Sequence, residues 1–155
     1  MRRLLPLVLM LGLVTPLLAA DSKPVKPDQA ALEKAFSDKL TGATLVGTFA
    51  TDGKEGSKPD RYRVVSAEKV KDSDWIFTAT MKVGDSDVDV PIPIKIYWAD
   101  DTPVMSLTDL AIPGVGTFTA RVMFYGNRYA GTWQHGDHGG TFAGVIEKPK
   151  PKEAK

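Results

Sequence analysis

From Gly42 to Ile146 apolar and polar residues alternate with a period of two, interrupted by short polar clusters. That period puts every second side chain on one face of a β-strand. In the first run Ala43, Leu45, Gly47 and Phe49 alternate with Thr44, Val46, Thr48 and Ala50. The polar, glycine-rich stretch from Asp52 to Asp60 reads as a loop, and Tyr62 and Val64 open a second strand. Trp75, Phe77, Ala79, Met81 and Val83 line a third, with a turn at Gly84-Asp85. The clearest alternation follows, with Val88, Val90, Ile92, Ile94, Ile96 and Trp98 set against Asp87, Asp89, Pro91, Pro93, Lys95 and Tyr97. Two prolines on one side of a strand remove ladder donors, which predicts an irregular or bulged segment or a sheet edge.

After a turn at Ala99-Asp100-Asp101, Val104, Ser106 and Thr108 against Met105, Leu107 and Asp109 form a weaker fifth strand, broken at Ile112-Pro113-Gly114. Phe118, Ala120, Val122 and Phe124 make the sixth. Gly126-Asn127 is a hairpin signal, Tyr129, Gly131 and Trp133 run in the seventh, and Phe142, Gly144 and Ile146 in the last. Only Pro27 to Leu40 changes period. Leu32, Phe36 and Leu40 recur every fourth residue with Ala31 and Ala35 beside them, Pro27 suits a first turn, and Gly42 suits a C-cap. The expected fold is all-β: an antiparallel up-and-down barrel of about eight strands, calycin-like, with one short N-terminal helix. No helix separates the strands, so parallel βαβ units are excluded. A β-sandwich is the alternative. The helix either closes one mouth or packs outside.

The ends of the chain add a compartment. Met1-Arg2-Arg3, an apolar run from Leu4 to Leu18 and the small residues Ala19-Ala20 form a secretory signal peptide over residues 1–20, with cleavage expected near Ala20. The run is too short for a comfortable membrane span, so no stable span is expected after cleavage. Residues 21–26 read as a flexible lead, 27–147 as the folded domain, and 148–155 as a disordered Lys/Pro tail. The expected location is secreted or periplasmic. The formal charge of +1 falls to about −1 once Arg2 and Arg3 leave, which gives no general pull on nucleic acid. The chain has no cysteine, so its stability rests on an apolar core.

Candidate chemistry is sparse. His135-Gly136-Asp137-His138-Gly139-Gly140 holds both histidines of the chain, and imidazole with carboxylate suits a divalent transition metal. No third ligand is identified, and a glycine-rich hairpin tip explains the same residues, so no metal or other cofactor is assigned. Asp85, Asp87 and Asp89 fall on the polar face of their strand, where carboxylates have no reason to shift their pKa. There is no Gly-x-Ser-x-Gly elbow and no cysteine nucleophile, and the balance is against an enzyme. The aromatic set is more informative. Trp75, Phe77, Trp98, Phe118, Tyr129 and Trp133 share the inward phase of their strands and could line a pocket for an apolar ligand or simply fill the core.

Tyr129-x-Gly131-Thr132-Trp133-x-His135-Gly136-x-x-Gly139-Gly140, closing with Gly144-x-Ile146-Glu147, resembles the C-terminal end of a group of uncharacterised secreted bacterial proteins. Residues 40–47 and the segment from Pro113 to Val122 are similar to the same group, which carries no assigned activity. A more distant likeness, through Gly47-Thr48-Phe49 and the aromatic interior, is to lipocalin and avidin-like barrels, with Phe49 where the lipocalin signature has tryptophan. That likeness implies binding of small hydrophobic molecules. Three expectations follow. The first is a non-enzymatic exported barrel binding a small apolar ligand. The second is a filled structural module whose outer face, near Tyr97, Met105 and Tyr125, or whose Lys/Pro tail meets a cell-envelope component. The third is metal-dependent activity at His135 and His138.

Overall fold

The computed structural model describes residues 28–83, 85–112 and 116–148. The expectations for the signal peptide, its cleavage site, the lead, Pro27 and the tail beyond Lys148 lie outside the described residues. The elements are α1 (Gln29–Leu40), β1 (Thr44–Thr51), β2 (Lys58–Lys71), β3 (Asp74–Val83), β4 (Ser86–Ala99), β5 (Thr102–Ile112), β6 (Gly116–Tyr125), β7 (Arg128–His135) and β8 (His138–Glu147). Each strand pairs antiparallel with the next, and β1 pairs with β8, so the sheet closes as an up-and-down barrel. The sandwich alternative is therefore excluded, and the helix closes one mouth.

Helix α1 is started by Asp28, whose side chain accepts from the Ala30 N–H at 3.1 Å and satisfies one of the free donors of the first turn. It stops at Thr41, whose N–H donates to Ser37 O at 2.9 Å, and Gly42 then turns away at φ +74°. The stripe of Leu32, Phe36 and Leu40 faces the barrel, and Phe36 and Leu40 are buried. Phe36 is a plug of four aromatic contacts. Its ring lies 5.2 Å from Phe124, 5.7 Å from Trp75, 5.9 Å from Trp98 and 6.2 Å from Phe77. Edge-on arrangements such as those with Trp75 and Trp98 suit the aromatic quadrupole.

Polar ties hold the plug in place. Ser37 Oγ donates to Ala67 O at 2.6 Å, Lys69 pairs with the well-covered Glu33 at 2.6 Å, and Lys39 Nζ donates to Gly126 O at 3.0 Å. Lys148 Nζ donates to Asp38 O and, at 2.8 Å, to Thr41 O. An ammonium there meets the unpaired carbonyls at the negative end of the helix. Lys148 was expected in the tail, and it is instead a clamp on α1.

One departure from the sequence reading, in β2, and one choice among its alternatives, in β4, shape the other end. Strand β2 begins at Lys58, inside the expected loop, because Lys58 pairs with Phe49 and Asp60 with Gly47. Asp60 thus shares the inward phase of Tyr62, which brings a carboxylate into the inward row of β2. Second, β4 stays regular through its prolines. Its ladder with β3 runs unbroken from Asp74↔Lys95 to Val83↔Ser86. Ile96 N donates to Ser73 O at 2.8 Å, so even-numbered N–H groups of β4 point toward β3 and the nitrogens of Pro91 and Pro93 point toward β5. The pairing of β4 with β5 ends at Lys95↔Ser106. The prolines therefore sit where no donor is needed, on an edge opened inside a closed barrel.

Strand β5 leaves through a bulge between Leu107 and Leu110, with Asp109 at φ 50°. Arg121 Nη1 donates to Leu107 O at 2.6 Å and Nη2 to Thr108 Oγ1 at 2.9 Å, which holds the bulge. The ladder of β2 with β3 likewise starts only at Arg63↔Thr80, leaving Lys58 to Tyr62 paired with β1 alone. The wall is thus continuous at the helix end and parted twice toward the other.

Candidate functional site

The interior is divided. Under α1 it is solid: Phe36, Leu40, Trp75, Ile96, Val122, Phe124 and Tyr129 are buried against one another. Toward the opposite mouth, inward side chains enclose a cavity of about 240 Å³. Its walls include Leu45, Tyr62 and Phe77 on one side and Met105, Leu110, Phe118, Trp133 and Phe142 on the other. Phe77 is the floor, touching both Phe36 and the cavity. The outward row of the same strands carries Arg61, Arg63, Lys82, Asp87, Asp89, Lys95 and Arg121, all exposed, so the barrel's exterior belongs in water.

The six aromatic residues singled out from the sequence part into two groups. Phe77, Phe118 and Trp133 line the cavity. Trp75, Trp98 and Tyr129 lie outside its lining. Trp75 and Trp98 flank Phe36 beneath the helix. Trp133 is held by Phe49, edge-on at 6.0 Å, and its Nε1 donates to Ala50 O at 3.3 Å. Phe118 stacks on His135 with centroids 4.2 Å apart and planes at 16°. Leu110, Ile112 and Tyr62 also line the cavity, and the sequence did not single them out. The bulge in β5 resets the phase that would have brought Leu110 forward, and Tyr62 stood at the margin of an expected loop.

Tyr129 points its hydroxyl across the barrel wall rather than into the cavity. Gly144 pairs with Tyr129, and Gly47 pairs with Gly144. A Cβ on either glycine would lie 2.7 Å from Tyr129 Oη, so the two glycines form the trough that holds the phenol. That hydroxyl is buried and has no hydrogen-bond partner among the described residues. Burial, and then the charge of Asp60, push Tyr129 above the usual tyrosine value. Asp60 is half-buried, accepts from the Arg61 N–H at 2.9 Å and takes a short hydrogen bond from Tyr62 Oη. Partial desolvation, then that hydrogen bond and the charge of Asp60, push Tyr62 up as well, although the residue remains 44 % exposed at the mouth. Asp60, Tyr62 and Tyr129 therefore form a polar strip along an otherwise apolar inner wall. Of these three only Tyr62 belongs to the cavity lining; the other polar side chain there, Thr119, is engaged with Asp109, whose N–H it accepts at 3.0 Å.

The histidine loop has a local structural account. His135 and His138 face each other across the turn between β7 and β8, and the His135 ring packs on Phe118. Among the described residues no group of three or more His, Cys, Asp or Glu is placed to hold a metal ion. The outer face carries an apolar groove of about 500 Å³ bordered by Val46, Met123, Tyr125, Ala130 and Val145. Met105, expected on that outer face, instead pairs with the inward Ile96 and lines the cavity. Among the described residues no helix is long and apolar enough to cross a membrane.

No family model, no curated protein and no solved structure matches this chain.

Proposed function

We propose that this chain is an exported, non-enzymatic barrel that takes a small apolar ligand into its open end. One observation carries the reading: a barrel solid beneath its helix yet holding an apolar cavity of about 240 Å³ at the other mouth. Natural small-molecule sites are concave and mostly apolar with a few placed polar groups, and those for drug-sized ligands run to about 300–1,000 Å³. A site below that range suits a single ring or a short chain. Export rests on the charged start, the apolar run and the small residues of positions 1–20.

The test is titration of purified mature protein with benzene and cyclohexane, followed by tryptophan fluorescence, to which Trp133 at the cavity wall contributes. Saturable change is the expected result, and a response no greater than that of free tryptophan defeats the reading. Mass spectrometry of the protein from its native host tests export, with a mature chain beginning near Asp21 expected and an intact Met1 opposing it. A second reading, an envelope interaction module, draws on the exposed Met123 and Tyr125 beside Val145.

A further inference from the structure

We infer that the tip of the β3–β4 hairpin is a flap over the cavity, and that its apolar inner row, Met81, Val88 and Val90, extends the site along a linear alkyl chain whose buried end fills the cavity. This rests on the binding reading above and specifies the ligand class.

The hairpin tip has ladder partners only within itself. The pairing of β2 with β3 stops at Arg63↔Thr80, so Met81 to Val83 have no partner on β2. The pairing of β4 with β5 stops at Lys95↔Ser106, so Ser86 to Ile94 have none on β5. The pairs Met81↔Val88, Lys82↔Asp87 and Val83↔Ser86 therefore join only each other. Three residues per strand carry the tip about 10 Å beyond its last neighbour. A two-stranded hairpin without neighbours is marginal in water, and a segment that breaks no outside ladder when it moves belongs to the low-stability end of a fold. Pro91 and Pro93 take two donors off its β5-facing edge, which disfavours capture by another strand.

The flap has two unlike faces, because successive side chains point to opposite sides. On the outer face Thr80 Oγ1 donates to Asp89 Oδ1 at 2.8 Å, and Lys82 pairs with Asp87 at 3.6 Å. The inner face continues the cavity wall. Ala79 and Ile92 line the cavity, Val90 stands opposite Ala79, and Met81 and Val88 follow as the next inward pair. Val88 is 42 % exposed, and Met81 and Val90 are half-buried. An uncovered apolar row, in line with an apolar cavity and backed by charge, is matched by hydrocarbon that runs out of the cavity. The row is one pair of side chains wide, which suits a chain rather than fused rings. The cavity of about 240 Å³ holds its inner end, since roughly 150 Å³ suffices for a benzene ring.

Benzene and straight-chain alcohols from 1-butanol to 1-decanol test the inference. Each is titrated into the purified protein and into the double variant Met81→Ser with Val88→Ser, read by calorimetry and tryptophan fluorescence. In the parent, affinity should climb about three- to fourfold with each added methylene as far as decanol. In the variant the climb should stop at a shorter alcohol, leaving decanol at least roughly tenfold weaker than in the parent, the worth of about two methylenes. Benzene, which the cavity holds alone, should bind both proteins alike. Amide exchange in the parent gives a readout that needs no variant to fold. Met81 to Val83 and Ser86 to Asp89 should exchange faster than β7 and β8, and should slow with saturating decanol but not with benzene. Decanol equally tight on both proteins, or exchange unmoved by decanol, would overturn the flap while benzene binding upholds the cavity reading. A parent dimer in light scattering that the double variant dissolves would give the row to a second copy and overturn the flap as well. Failure of benzene and every alcohol would overturn the binding reading with it.

Discussion

The hydroxyl of Tyr129 occupies the space that a side chain on Gly47 would need. A Cβ at Gly47 would stand 2.7 Å from Tyr129 Oη and 2.1 Å from the carbonyl oxygen of Ala143. The second contact is with backbone, which cannot swing away. Gly47→Ala should therefore strain the β1–β8 seam and cost about 1–3 kcal/mol or more, as overpacking does. Urea denaturation of both proteins checks it, and a change within about 0.5 kcal/mol would refute the crowding argument.

Tyr129→Phe should behave unlike most buried tyrosine substitutions. Among the described residues the hydroxyl has no partner to lose, so its removal sheds a desolvation cost and should be neutral or stabilising by up to about 1 kcal/mol. A loss of more than about 1 kcal/mol in the same denaturation assay would show that the hydroxyl is bonded in solution.

Alkaline pH should weaken the fold through the same wall. Tyr62 and Tyr129 both have raised values in the folded state, against an ordinary value of 10.0. Above that value the unfolded chain gives up phenolic protons that the folded chain retains, so unfolding is favoured as pH rises. Stability should be flat with respect to these groups below about pH 9 and decline above about pH 10. Tyr129→Phe should show a shallower decline. Equal slopes for variant and parent would remove Tyr129 from the account.

Phe36→Ala should cost about 3–5 kcal/mol, because one ring touches four others and nothing nearby can collapse into its place. The near-ultraviolet dichroism of Trp75 and Trp98 should fall with it. A variant that keeps both its stability and that dichroic signal would mean that α1 does not plug the barrel.

Restoring donors to the parted wall should create a new hazard. Pro91 and Pro93 face the edge that β5 has left, so Pro91→Val with Pro93→Val exposes two N–H groups to any passing strand. The double variant should self-associate at concentrations where the parent is monodisperse by light scattering. Unchanged scattering would mean that the edge is protected by something other than its prolines.

Much of this architecture could be read from the chain. Residues Val88 to Trp98 alternate so cleanly because one face meets core and the other water, and the strand count follows from turns such as Gly126-Asn127. The parted wall was half legible: two prolines announced an edge, but only the register shows which neighbour is missing. The bulge at Thr108 and Asp109 gave no warning, because a single inserted residue leaves hydrophobic composition unchanged while swapping faces. Asp60 was hidden for the opposite reason, since a polar residue pointing inward at a barrel mouth looks like loop. Which aromatics border empty space and which fill it depends on where Phe36 docks, a long-range fact that no local period carries.

The clamp of Lys148 on the last turn of α1 orders events in time. The contacts that secure α1 come from residues separated from it by 30 to 110 positions along the chain: Ala67, Gly126 and Lys148. Contacts of such sequence separation form late, after the loops between them have closed. Helix α1 comes first among the described elements, yet its set of ties is complete only once the segment carrying Lys148 has been made. Closure of the barrel and the full anchorage of its plug thus both wait on β8 and the residue that follows it.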